Sequence, residues 1–143
     1  MGELISREQI QMLAEAALDA REKAYTPYSH YTVGAALLTK CGVVYRGCNV
    51  ENASYGATNC AERTAFFKAV SEGERAFAAI AIAGGMAGQK PEDYAYPCGV
   101  CRQVMKEFCS DDFQIIVVKS IEDYQIYRLD ALLPYGFGGD SIR

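Results

Sequence analysis

Several features are scarce in this chain, and each absence narrows what it can do. No apolar run approaches the ~20 residues that a membrane-spanning helix requires. Residues 1–10 show no basic stretch followed by an apolar one, so the sequence predicts no secretion signal and a cytoplasmic location. Basic residues form no cluster: 14 Lys and Arg stand against 18 Asp and Glu, for a net charge of −4. A protein that grips a polynucleotide carries a basic footprint, because phosphate neutralisation supplies most of the affinity. The balance here speaks against DNA or RNA as the main partner and suits a small, neutral ligand. Internal repeats, low-complexity tracts and linkers are missing too, and His30 is the only histidine.

What is present is the composition of a globular domain. The 143 residues are 50% hydrophobic and 22% charged, enough to bury a real core, so one domain is expected across 1–143. Ser6 followed by Gln9 has the form of a capping box, and Ile10, Leu13, Ala17 and Leu18 recur at helical spacing up to about Ala24. Thr26-Pro27 ends that helix. Two strand-like runs follow, 32–38 and 43–49, joined by a turn at Lys40-Cys41-Gly42. A helix is predicted from Cys60 to about Ser71, with Asn59 as its cap and Gly73 as its stop. The apolar run 77–83 reads as a buried strand and 84–96 as a loop. A helix over 98–108, a buried strand over 115–118, an edge strand over 124–128 and a closing Leu132-Leu133-Pro134 segment complete the chain. The order implies an α/β fold, a three-layer α-β-α sandwich around a mixed sheet of about five strands.

Six cysteines, at 41, 48, 60, 98, 101 and 109, read as reduced thiols in a chain of this length without a secretion signal. Two of them stand in Pro97-Cys98-Gly99-Val100-Cys101, where residues three apart share one face of a helical turn and can share one metal ion. A CxxC by itself also fits a redox pair, half of a structural zinc knuckle, or two buried cysteines. Cys60-Ala61-Glu62 adds a second helix start. Cys60 and Glu62 differ by roughly 200° around a helix of ~3.6 residues per turn, so they meet a common ligand only beyond its N-terminal end. Three thiolates leave a tetrahedral Zn2+ one open position, the pattern of a catalytic site, whereas a fourth cysteine or His30 would close it as a structural one. Beside an open site Glu62 is a proton shuttle; otherwise it is an ordinary acid in the first turn of a helix. Arg63 either offsets the negative charge of three sulfurs or is an exposed helix arginine. The zinc deaminases carry this pattern, H-x-E…P-C-x-x-C, with an all-cysteine variant that matches C-A-E…P-C-G-V-C here.

The chain resembles the small, homotetrameric cytidine deaminases over nearly its whole length, from about Ser6 to Phe137. The resemblance rests on the segments 27–36, 47–53, 59–65, 97–104 and 132–134. It implies hydrolytic deamination of cytidine and 2′-deoxycytidine in pyrimidine salvage, one Zn2+ per chain held by Cys60, Cys98 and Cys101, and Glu62 as the catalytic acid and base. It also implies that Asn49 and Glu51 hold the ribose hydroxyls, that Tyr31 packs on the pyrimidine ring, and that Phe137 covers the base. Ala53 and Tyr55 match a loop that a neighbouring chain of the tetramer supplies. Tyr31 departs from the usual phenylalanine, Tyr96 from the usual serine, and the 84–96 loop is longer than is usual. Related enzymes act on an aminonucleoside antibiotic, on nucleotides or on bases in RNA; the sequence places no cation for a phosphate beside Asn49-Val50-Glu51.

Overall fold

The computed structural model describes residues 4–142, so residues 1–3 of the expected N-terminal reading lie outside the described residues. Helix α1 (Arg7–Ala20) opens with the capping box, Gln9 N donating to Ser6 Oγ at 3.1 Å and Ser6 N to Gln9 Oε1 at 2.9 Å. It buries Ile10, Leu13, Ala14, Ala16, Ala17 and Ala20. The expected extension to Ala24 tightens instead into a 3-10 turn at Arg21–Lys23, and the chain is already extended at Ala24. At this turn the Arg21 guanidinium faces inward. It donates to the Thr32 carbonyl and hydroxyl (3.2 Å each) and to the carbonyls of Met86 (3.1 Å) and Gln89 (2.8 Å).

The sheet consists of β1 (Tyr31–Thr39), β2 (Val44–Cys48), β3 (Phe77–Met86), β4 (Gln114–Val118) and β5 (Tyr124–Arg128), in the order β2-β1-β3-β4-β5. Only β3 and β4 pair in parallel; the remaining neighbours are antiparallel, so the sheet is mixed. Helix α2 (Ala61–Ser71) links β2 to β3, α3 (Gly99–Phe108) makes the crossover from β3 to β4, and a short α4 (Leu129–Leu132) follows β5. Gly73, at φ +99°, takes the left-handed conformation that stops α2.

Strand side chains alternate between two cores. On one face Ala36, Leu38, Ala79, Ala81, Ala83, Ile116 and Val118 pack against α1. On the other, Ala35, Leu37, Ile80, Ile82, Ile115 and Val117 pack against α2 and α3. This is the three-layer sandwich that the element order implies. The second core ends in an aromatic group, with Phe66 at 5.1 Å from Phe77 and 6.1 Å from Phe113. Helix α2 lies so close to β2 that a Cβ on Gly47 would sit 2.3 Å from the Ala61 carbonyl oxygen, which fixes the start of α2 against the sheet.

Two local expectations are corrected. β3 does not stop at Ala83 but runs to Met86, because Gly84 and Gly85 find ladder partners in Val33 and Thr32. Helix α2 begins at Ala61 with Cys60 as the cap residue, in place of Asn59. Asn59 pairs its backbone with Val50 and gives its side-chain amide to Thr64 Oγ1 at 3.2 Å.

Candidate active site

Both CxxC and C-A-E place a cysteine as the cap of a helix. Cys60 precedes α2 and Cys98 precedes α3, each with an extended backbone, and neither sulfur caps its own helix. The two helix N-termini therefore aim their free N–H groups and positive dipole ends at one spot, where anionic sulfur is favoured. Cys101, one turn into α3, is buried on the same side. The Sγ atoms of Cys60 and Cys98 are 3.7 Å apart and those of Cys98 and Cys101 3.5 Å, all three lying within 4.8 Å of one another.

These distances test the fit to zinc. Zn–S bonds of about 2.3 Å at tetrahedral angles put neighbouring sulfurs roughly 3.8 Å apart, close to what the cysteines adopt. The charge state makes the same point. Hydrogen bonds from Cys101 and Arg63 hold the Cys60 thiol down at about 5, while Cys101 beside it is pushed far up, chiefly by its hydrogen bond to Cys60. A divalent ion favours the ionised form of each sulfur that binds it. The sulfur donor set and its spacing suit Zn2+.

Glu62 follows in the first turn of α2 with only 4% of its surface exposed, and it is the only buried charged side chain among the described residues. Burial raises its carboxyl group to about 7, with the nearby Cys60 sulfur adding to the rise. A carboxyl poised there both takes and gives protons near neutrality. Arg63 donates from Nη2 to Cys60 Sγ at 3.2 Å, so its guanidinium faces the cluster and is not an exposed helix arginine. Its Nε is buried without a hydrogen-bond partner among the described residues.

Of the other expected site residues, Asn49 and Glu51 are held next to the start of α2 by backbone braces. Val50 bridges Tyr25 on one side and Asn59 on the other, which brings Asn49 and Glu51 beside the residue that precedes Cys60. The Asn49 amide clamps β1: Oδ1 accepts from Val33 N and Nδ2 donates to the Tyr31 carbonyl, both at 2.9 Å. The Glu51 carboxylate accepts from Tyr28 N (3.0 Å), Ser29 N (3.2 Å) and the Ser29 hydroxyl, which holds it below the ordinary carboxylate range. Ala53, Tyr55 and Phe137 are exposed and stand outside the buried cluster. The Tyr55 ring meets Tyr28 edge-on at 6.3 Å, and both line a cleft of about 380 Å³ with Ser29, Glu51, Asn52 and Thr58. Gln103 Nε2 holds the Phe137 carbonyl at 2.7 Å. Arg102 ties the entrance of α3 to the C-terminal segment, donating to the Pro97 carbonyl (2.7 Å) and the Leu132 carbonyl (2.8 Å). Tyr28, Ser29, Arg102 and Gln103 thus tie these segments together; the sequence does not signal the contacts to Glu51, Leu132 and Phe137, which join positions 22 to 34 apart. His30 is exposed, at φ 58°.

A larger groove, about 1080 Å³, lies between the end of α1, residues 87–91 and the β4–β5 turn. Its charged lining mixes both signs (Asp19, Arg21, Glu22, Lys90, Lys119 and Glu122) and holds none of the cysteines. Chemistry, not volume, locates the site.

Residues 7–117 match the family described as the cytidine and deoxycytidylate deaminase zinc-binding region. A cytidine deaminase of Halalkalibacterium halodurans is 50% identical, over 92% of this chain and 96% of its own length. One of Sporosarcina psychrophila is 44% identical over 93% and 94%. The crystal structure of cytidine deaminase from Burkholderia pseudomallei superposes with a TM-score of 0.80 at 48% identity, covering 88% of this chain and 97% of that one. With the cysteine cluster, the buried glutamate and the fold in agreement, this chain belongs to the cytidine and deoxycytidylate deaminase family.

Proposed function

We infer that the protein hydrolyses the C4 amino group of cytidine and 2′-deoxycytidine, giving uridine or 2′-deoxyuridine and ammonia. The observation that carries this reading is the buried Glu62 carboxyl group beside three sulfurs spaced for one ion. Cys60, Cys98 and Cys101 would hold a Zn2+ ion, which would supply Lewis-acid activation of a water near C4. Glu62 takes one proton from the attacking water and gives it to N3 of the base, then takes the remaining proton from the new C4 hydroxyl and gives it to the departing amine nitrogen. Burial raises its carboxyl group, the direction that a proton carrier needs. Arg63 offsets the excess charge of three thiolates through Cys60 Sγ.

Asn49 and Glu51 bind the ribose hydroxyls with the hydrogen-bonding capacity their backbone braces leave free, and the Tyr31 ring packs on the pyrimidine. Phe137 covers the base, and Ala53 and Tyr55 reach the site of a neighbouring chain in a homotetramer. Supporting that assembly are aromatic rings left bare on the single chain, Tyr25, Tyr28, Tyr55, Tyr135 and Phe137 among them. Residues 1–143 form a single deaminase-like domain, a reading supported by one sheet with helices on both faces through 4–142. A cytoplasmic role in pyrimidine salvage suits a cluster of reduced thiols. No helix among the described residues is long and apolar enough to cross a membrane.

Ultraviolet monitoring of cytidine and 2′-deoxycytidine tests the reading. Purified protein converts both; a sample stripped of metal does not, and added zinc restores the rate. A folded, zinc-loaded sample that leaves both nucleosides unchanged overturns it.

A further inference from the structure

Tyr31 opens β1 on the face that carries Val33, Ala35 and Leu37, the side of α2 and α3. Across the ladder, Gly84 of β3 stands opposite Val33. A Cβ placed on Gly84 would lie 2.7 Å from the Tyr31 hydroxyl oxygen, 3.1 Å from its Cε2 and 2.9 Å from Ala95 Cβ. The tip of the phenol therefore occupies the space a side chain at 84 would need, with Ala95 as the second wall. Gly84 is not among the glycines with positive φ, so space and not backbone conformation is what glycine provides here. The hydroxyl makes tyrosine one heavy atom longer than phenylalanine, and that atom is the one the notch receives. From the opposite face, Arg21 and the Thr32 hydroxyl, which donates to the Gly85 carbonyl at 3.0 Å, hold the ends of β1 and β3 together. Ala95 stands three residues before Cys98, so the wall of the notch and a sulfur of the cluster share one short segment.

We propose that Gly84 is a positioning residue: with Ala95 it forms a notch that seats the Tyr31 phenol and so sets how the ring meets the pyrimidine. The proposal rests on the reading that Tyr31 packs on the base. In Gly84→Ala the new methyl group displaces the ring. Because Tyr31 makes no bond to the reacting atoms, the loss is one of substrate binding more than of chemistry.

The test is a double-mutant cycle with Gly84→Ala and Tyr31→Phe, read as KM and kcat for cytidine. Gly84→Ala raises KM by about ten-fold with kcat within about two-fold, a loss of uniform binding. Tyr31→Phe supplies the background without the hydroxyl, in which adding Gly84→Ala raises KM much less than it does in the parent. An unchanged KM in Gly84→Ala, or an equal rise in both backgrounds, overturns the proposal. Should Gly84→Ala fail to fold, Ala95→Val narrows the notch from its other wall; it must raise KM with tyrosine at 31 and much less with phenylalanine, and equal effects overturn the proposal. Tyr31→Ala separates the two levels. If it leaves KM unchanged, the assignment of Tyr31 to the substrate pocket fails and the proposal with it. If it raises KM while the cycle shows no coupling, Tyr31 keeps its role and the notch alone is wrong.

Discussion

The two faces of the sheet are built from the same strands by the same alternation, yet only one does chemistry. Against α1 the sheet offers small and branched aliphatic residues, and the helix lies along it with Leu13, Ala14 and Ala17 fully buried. On the other face α2 and α3 point their N-terminal ends at a common spot and deliver three sulfurs and a buried carboxyl group. What separates the faces is helix orientation, not hydrophobicity. A helix laid lengthwise presents side chains alone, whereas helix ends also present free N–H groups and a positive dipole. Anionic sulfur is accommodated only on the second face.

Substitutions that respect or cross this division sharpen it. The largest effect belongs to Glu62→Gln, which keeps zinc and fold while kcat falls by roughly 10²–10⁴-fold, the usual worth of a general acid-base group. Initial rates beside metal content by atomic absorption check this; near-normal turnover would remove Glu62 from the mechanism. Arg63→Gln acts one step out and costs about 10–100-fold in activity or zinc affinity, as partners of metal ligands commonly do. Equal rates and equal zinc retention under a chelator titration would make Arg63 structural only.

On the α1 face the sign of the outcome changes. Leu13→Ala opens a cavity worth about 2–5 kcal/mol of stability, read from urea unfolding, while kcat per folded molecule stays at the parent value. A matching loss of kcat would mean that the faces are coupled.

The smallest effect concerns pH in metal-free protein. Glu62 holds its proton up to about 7 against an ordinary 4.5, so its contribution is complete below 4.5 and lost as pH rises through 7. That difference corresponds to about 3 kcal/mol at 1.36 kcal/mol per unit. Cys60, held at about 5 against an ordinary 9.0, runs the other way: its contribution is complete above 9 and lost as pH falls through 5. Between pH 5 and 7 the two slopes oppose, so the metal-free parent is nearly flat there. Metal-free Glu62→Gln gains stability across the same window. Parallel curves for the two proteins would contradict the assignment of the buried proton to Glu62.

The parts legible in the sequence were those written in short-range pattern. Ser6 and Gln9 announce their capping box, the two strand-like runs and the turn between them announce β1 and β2, and the spacing of Cys60, Glu62, Cys98 and Cys101 announces two helix ends meeting. The parts that were not legible depend on partners far along the chain. Gly84 and Gly85 have no strand propensity of their own and enter β3 because β1 extends to meet them. Asn59 has the chemistry of a cap, but its backbone is taken by Val50, and the cap passes to Cys60. Asn49 and Glu51 carry no local sign that their side chains grip the backbone of residues 28–33, which lies 16–23 positions away.

The spacing of the cluster has a consequence for unfolding. Cys60 and Cys98 are 38 positions apart, and the segment between them contains β3, the strand that pairs with both β1 and β4. An ion that stays on both sulfurs ties off that segment as a closed loop. By the loop-entropy relation for a cross-link, 38 residues correspond to about 4 kcal/mol taken from the freedom of the unfolded chain. The metal then works as a staple around the middle of the sheet, and chelation would speed the loss of the fold as well as the loss of turnover.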